Sequence, residues 1–190
     1  MPDPTALQTE ADIYGFLARL WIAAPDEAAL GQLQTGKLHE AWTQLGGPVP
    51  KFDSESQTLD KLTGEYRESL LTLEDQPPPH QSATNDNGLE DDCFESLNQF
   101  VDIIGQPNGS LFEQQKDRDH AGVLLALMQR VCAYGAQCDA DDAEAVAELR
   151  SQFFDAHLVW LIDYCEVAMT RTESSFYNGL FKVTANFLSR

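Results

Sequence analysis

Lys116-Asp117-Arg118-Asp119-His120 runs directly into Ala121-Gly122-Val123-Leu124-Leu125-Ala126-Leu127-Met128. An uncharged run of this kind, opened by an acid and an imidazole, predicts a helix buried on most of its circumference. It should extend from Asp119 to about Ala136, with Val123, Leu124, Leu127, Met128, Val131 and Cys132 in the core. Asp119 is placed to cap the free N–H groups of its first turn. The plain reading makes Asp119 an ordinary cap and His120 a solvent-facing first-turn residue. The functional reading starts from the fact that here alone polar chemistry abuts the core.

Working outward, helical spacing recurs on both sides. Upstream, Ile13, Phe16, Leu17, Leu20 and Trp21 form one face of a helix from Thr9 to Ala23, with Thr9 and Asp12 placed as a capping box. Pro25-Asp26 opens a short helix carrying Ala29, Leu30 and Leu33, and a third carries Leu38, Ala41, Trp42 and Leu45 before Gly46-Gly47. Pro48-Val49-Pro50 reads as a rigid connector. Ser54 and Gln57 open a fourth helix with Leu59, Leu62, Tyr66, Leu70 and Leu73 on its face. A Pro-rich, polar loop follows from Glu74 to Asp92, and long loops in compact domains are often functional. Phe94, Leu97, Phe100, Val101 and Ile104 then define a fifth helix closed by Gly105.

Downstream, the acidic turn from Asp139 to Asp142 puts negative charge where a helix dipole favours it, ahead of Val146, Leu149, Phe153 and Phe154. His157-Leu158-Val159-Trp160-Leu161-Ile162 is almost wholly apolar. A closing helix from about Glu173 carries Phe176, Leu180, Phe181, Val183, Thr184 and Phe187. Alternating strand patterns and fixed-period repeats are missing. The expected class is all-α: a single globular bundle of about eight to ten helices over residues 1–190, with the loop at about 74–92.

Composition narrows the function classes. Thirty-one Asp+Glu against 12 Lys+Arg give a formal charge of −19. That charge opposes nucleic acid and anionic membranes, and reads either as a solubilising or salt-adapted surface or as one that takes cationic partners. Cys93, Cys132, Cys138 and Cys165 form no C-x-x-C pair and look like reduced core thiols. The N-terminus shows no basic-then-apolar leader, and no run approaches the ~18 apolar residues of a membrane span. A cytoplasmic protein is expected.

Catalytic signatures are missing. Asn85-Asp86-Asn87-Gly88 fails as a calcium loop, because Ala83 and Phe94 stand where acids are needed. No His is followed by Asp, and no Glu-x-x-His pair, Gly-x-Ser-x-Gly elbow or P-loop occurs. The expectation is therefore no enzyme, no metal and no cofactor. Binding has more support: an acidic helical bundle with a polar corner at the mouth of its core suits a peptide that is positive at one end and apolar beyond it. A secretory signal peptide has that charge order.

Several stretches resemble the TorD/DmsD/NarJ family of cytoplasmic chaperones that serve molybdenum-containing reductases. Glu65-Tyr66-Arg67-Glu68-Ser69-Leu70 is similar to the family's Glu-Tyr-x-x-Leu-Phe, with Ser69 in place of Leu. Pro78-Pro79-His80-Gln81-Ser82 keeps the prolines and serine of its Pro-Pro-Tyr-Glu-Ser-like loop. Asp119-His120 with Leu125 and Met128 matches the spacing of its Glu-x-Pro-Asp-His-Leu signature, while Lys116, Arg118 and Leu124 depart from Glu, Pro and Glu. Phe154-x-x-His157-Leu158-x-Trp160 and the closing Phe176-Tyr177 helix resemble its C-terminal half.

The resemblance implies an all-helical, non-catalytic chaperone. It would bind the twin-arginine signal peptide, or another segment, of a molybdopterin oxidoreductase catalytic subunit and hold the apoenzyme until the cofactor is inserted. It also implies a monomer or a domain-swapped homodimer. By the same resemblance Asp119 and His120 form the polar corner of the peptide site, Tyr66 and Leu70 its apolar wall, and Pro78, Pro79, His80 and Ser82 its edge, with Met128 behind. Tyr66, Leu70 and Met128 equally suit plain core positions, and His157 suits a hydrogen-bonded core histidine. Lys116 and Arg118 make the corner less negative than the family's. Two other readings stand beside this one: an acidic helical adaptor unrelated to redox enzymes, and a metal-dependent hydrolase using Asp119, His120 and His157.

Overall fold

In a computed structural model, residues 3–49, 55–72, 77–84, 90–107 and 117–190 are described, those at 55–57 and 90–93 by backbone alone. Ten helices and no strand occur among them, so the fold is an all-α helical bundle. In chain order they are α1 Pro4–Ile22, α2 Glu27–Gln32, α3 Lys37–Gln44, α4 Glu55–Tyr66, α5 Gln81–Thr84, α6 Glu90–Ile104, α7 Ala121–Gly135, α8 Ala143–His157, α9 Trp160–Arg171 and α10 Ser175–Leu188. A π-helical turn, Arg67–Leu71, prolongs α4. No helix among the described residues is long and apolar enough to cross a membrane.

The Ala121–Met128 run is buried at every position, because the first half of α7 is enclosed on all sides rather than along one stripe. Its most extensive partner is α1. The two run antiparallel: Gly122 lies against Ala18 and Ile22, Gly15 against Gln129, and Gly135 against Leu7. Gly122 sets the approach, since a Cβ there would sit 2.4 Å from Ile22 Cγ1 and 2.9 Å from the Ala18 carbonyl oxygen. Trp21 carries the contact into α9 and α10, packing on Tyr164 and Phe181 and donating from its indole N–H to Thr184 at 3.1 Å.

Several boundaries differ from the sequence expectation. α1 begins at Pro4, with Asp3 accepting from the Thr5 N–H, so the Thr9-Asp12 pair lies inside the helix. α7 begins at Ala121 with His120 as its cap rather than Asp119, and ends at Gly135. The apolar run 157–162 is broken: α8 stops at His157, whose carbonyl accepts the Trp160 indole N–H at 2.9 Å, and α9 restarts there. The loop at 74–92 contains α5 and the start of α6; its residues 74–76 and 85–89, like Ser54 and Lys116, lie outside the described residues. As expected, Gly46 and Gly105 close α3 and α6 with φ of +88° and +80°. Cys132 and Cys165 are buried free thiols, and burial pushes Cys132 up to about 12.

Gly122→Ala tests the α1–α7 contact. Forcing a methyl against a backbone carbonyl should destabilise the protein by about 1–3 kcal/mol, more than the ~1 kcal/mol that helix propensity returns. Urea unfolding should show the lower midpoint; an unchanged one would mean the helices can part without loss.

Candidate functional site

The chain just before α7 and the segment 77–84 lock together. Backbone comes first: the Ala121 N–H donates to the Pro79 carbonyl at 2.9 Å and the Gln81 N–H to the Asp119 carbonyl at 3.1 Å, an antiparallel bridge between His80 and His120. The Asp119 side chain then closes the joint. It is 2 % exposed, and a buried carboxylate must be hydrogen-bonded. Its Oδ2 accepts from the Ser82 N–H (2.9 Å) and hydroxyl (2.6 Å), 37 residues away in sequence, and its Oδ1 accepts from His80 Nδ1 at 3.3 Å. Burial alone would raise the Asp119 pKa; the bonds from His80 and Ser82 outweigh it and hold the carboxyl at about 2.

With Asp119 so engaged, His120 takes over the cap. Its Nδ1 accepts the Gly122 N–H at 3.1 Å, which requires a neutral ring, and burial holds its pKa down at about 4. The His80 ring stands edge-on to it, with centroids 5.1 Å apart.

A residue passed over in the sequence makes the second half of the clasp. Gln81 is buried; its amide donates to the Ala156 carbonyl at 2.7 Å and its Oε1 accepts from His157 Nδ1 at 2.9 Å. His157 Nε2 is thereby left to accept the Ser96 hydroxyl at 3.1 Å. His157 is thus a core histidine bonded at both nitrogens, with a pKa lowered by burial to about 4. The Tyr164 hydroxyl fixes the start of the segment through the Pro77 carbonyl at 3.2 Å.

The expected site residues therefore divide. Pro79, His80, Ser82, Asp119 and His120 meet in the clasp, and Pro78 is exposed beside them. Tyr66 and Leu70 make no hydrogen bond to the clasp: the Tyr66 hydroxyl donates at 2.6 Å to the carbonyl of Ile22, the α1 residue packed against Gly122, its ring packs near Tyr177, and Leu70 is buried in the π-helical turn. There Ser69 bonds Thr172 and the Ser174 hydroxyl donates to Glu65, joining the Glu65–Leu70 stretch to the start of α10. Met128 is wholly buried in α7. Arg118 turns away to Asn98 on α6, at 2.7 Å.

Chemically, Asp119 is saturated. Three donors occupy its carboxylate, so it positions the loop rather than meeting solvent, whereas Asp117 beside it is exposed, 4.0 Å from His80 Nε2. Asp119, His120 and His157 do not converge as a metal set: His157 spends both nitrogens on Gln81 and Ser96, and His120 spends Nδ1 on its helix. Compared with models of protein families, with curated proteins and with solved structures, the chain matches none.

The buried imidazoles fix the sign of the pH dependence. Between about pH 6.5 and 4 the unfolded chain takes up protons that His120 and His157 refuse in the folded state, so unfolding free energy should fall as pH falls through that window. Asp119 adds a further loss from 3.8 down to about 2. His120→Asn keeps a capping side chain without the titration, and should flatten part of the upper slope in urea unfolding measured from pH 4 to 7. An unchanged slope would place the titration elsewhere.

Proposed function

We propose that this protein is a cytoplasmic, non-catalytic chaperone of the TorD/DmsD/NarJ kind. It binds the twin-arginine signal peptide or another segment of a molybdopterin oxidoreductase catalytic subunit and holds the apoenzyme for cofactor insertion. The observation that carries the reading is the clasp. Two stretches that resemble this family, Pro78-Pro79-His80-Gln81-Ser82 and Asp119-His120, lie 37 residues apart between Ser82 and Asp119 and meet through four hydrogen-bond contacts of backbone and side chain, with a fifth from the adjoining Ala121 N–H. Residues that matter separately to a fold need not touch, whereas residues shaping one recognition corner must.

In this reading Asp119 and Ser82 hold the loop in place. Exposed Pro78, the edge of His80 and the exposed carboxylate of Asp117 form the surface that receives the basic end of the peptide. The overall charge of −19 draws such a peptide in, an attraction that salt screens.

A fluorescent twin-arginine peptide titrated into the protein tests this. Binding should be saturable, weaken between low and high salt, and fall about tenfold or more in Asp119→Ala, a loss of about 1.4 kcal/mol or more. Asp117→Asn should weaken it at low salt alone. Affinity unchanged in Asp119→Ala would remove the clasp from the site.

A further inference from the structure

A second surface lies away from the clasp, where the end of α6, the second half of α7 and α8 meet. They enclose an open groove of about 820 Å³. Its apolar lining comes from Ile103 and Ile104 of α6, Val131 and Tyr134 of α7, and Ala145 and Leu149 of α8. Ile103 is 69 % exposed and Tyr134 57 %, two of the three most exposed large apolar side chains among the described residues. Scattered exposed apolar residues need no explanation, but two flanking one apolar groove do.

Acids outnumber cations around it two to one. Asp142, capping α8, and Glu148 on it supply carboxylates, Glu148 accepting from the Gln152 amide at 3.0 Å. The cation at the opposite wall, Arg130, is committed to its own fold, donating from Nε and Nη2 to the Ile104 carbonyl at 3.1 and 3.0 Å and so closing the end of α6. The Tyr134 hydroxyl donates to Asp142 at 3.2 Å, holding that carboxylate at the rim.

We infer that this groove docks an amphipathic helix of a partner protein, about three turns long, with an apolar stripe and two basic side chains facing Asp142 and Glu148. The length follows from the walls: from Asp142, the cap of α8, to Gln152 is about 15 Å at ~1.5 Å per residue. A helix suits a trough between helices, completing their packing with its own apolar ridge. The spacing follows from the two acids, about 9 Å apart along α8, which asks for basic residues six or seven positions apart on a helix lying alongside. This goes beyond peptide recognition at the clasp and stands on different residues.

The probe is a fluorescein-labelled, end-capped peptide of about 14 residues, with a Leu/Ala stripe at helical spacing and two lysines seven apart. Controls scramble the stripe or replace both lysines by Glu. By anisotropy the wild type should bind the probe at least about tenfold more tightly than either control. Ile103→Arg and Ala145→Arg, at exposed positions that leave the unfolding midpoint in place, should each weaken it by about the same factor. Equal binding of the scrambled peptide, or wild-type affinity in both arginine variants, would overturn the inference. So would light scattering showing a dimer that Ile103→Arg dissolves while the probe does not bind, since a second copy would then be the occupant. Loss of the twin-arginine titration with the groove intact would sink the chaperone reading alone.

Discussion

A carboxylate taken out of water dictates much of this structure. Asp119 is nearly inaccessible and stays ionised, which is tolerable only because three donors surround it. All three come from a segment far away in sequence. Satisfying that one charge therefore ties 77–84 to the mouth of α7, hands the helix cap to His120, and turns Gln81 inward to bridge Ala156 and His157. A change at Asp119 acts on the loop, on the start of α7 and on the α8 terminus together.

Behind this joint stands a rigid frame. α7 is gripped by α1 at a distance that a glycine permits, and α1 passes the packing to α9 and α10 through Trp21. The Glu65–Leu70 stretch joins that frame at the end of α1 that packs against Gly122, through Tyr66 on the last carbonyls of α1 and Glu65 on Ser174. Its residues shape the protein from within, whereas the loop and the acid corner shape a surface. A site assembled on fixed helices by buried polar contacts is pre-organised, which lowers the entropy lost when a flexible segment binds.

The helical architecture was legible because periodicity survives in a single sequence: the uncharged run Ala121–Met128 marks a helix buried all round, and the face from Ile13 to Trp21 marks its partner. Helix starts were harder where two capping candidates compete. Asp119 and His120 both suit the position before Ala121, and local preference favours the acid; the tertiary demand of Ser82 reverses the order. Thr9-Asp12 likewise competed with Asp3-Pro4, where proline in the first turn was an equally local signal. Gln81 had no local mark beyond standing among residues already singled out. The groove was illegible for another reason: Leu149 reads as core, Ile103 and Tyr134 stand beside core stripes without a mark of their own, and only the meeting of three helices makes them one surface.

In the proposed function the clasp receives a segment of a molybdoenzyme. The most direct test of this is affinity purification of the tagged protein from its native host, grown with an alternative electron acceptor, alongside the Asp119→Ala variant. Mass spectrometry should find a molybdopterin oxidoreductase catalytic subunit with the wild type and much less of it with the variant. Recovery of no such subunit under any respiratory condition, or equal recovery with both proteins, would contradict the account.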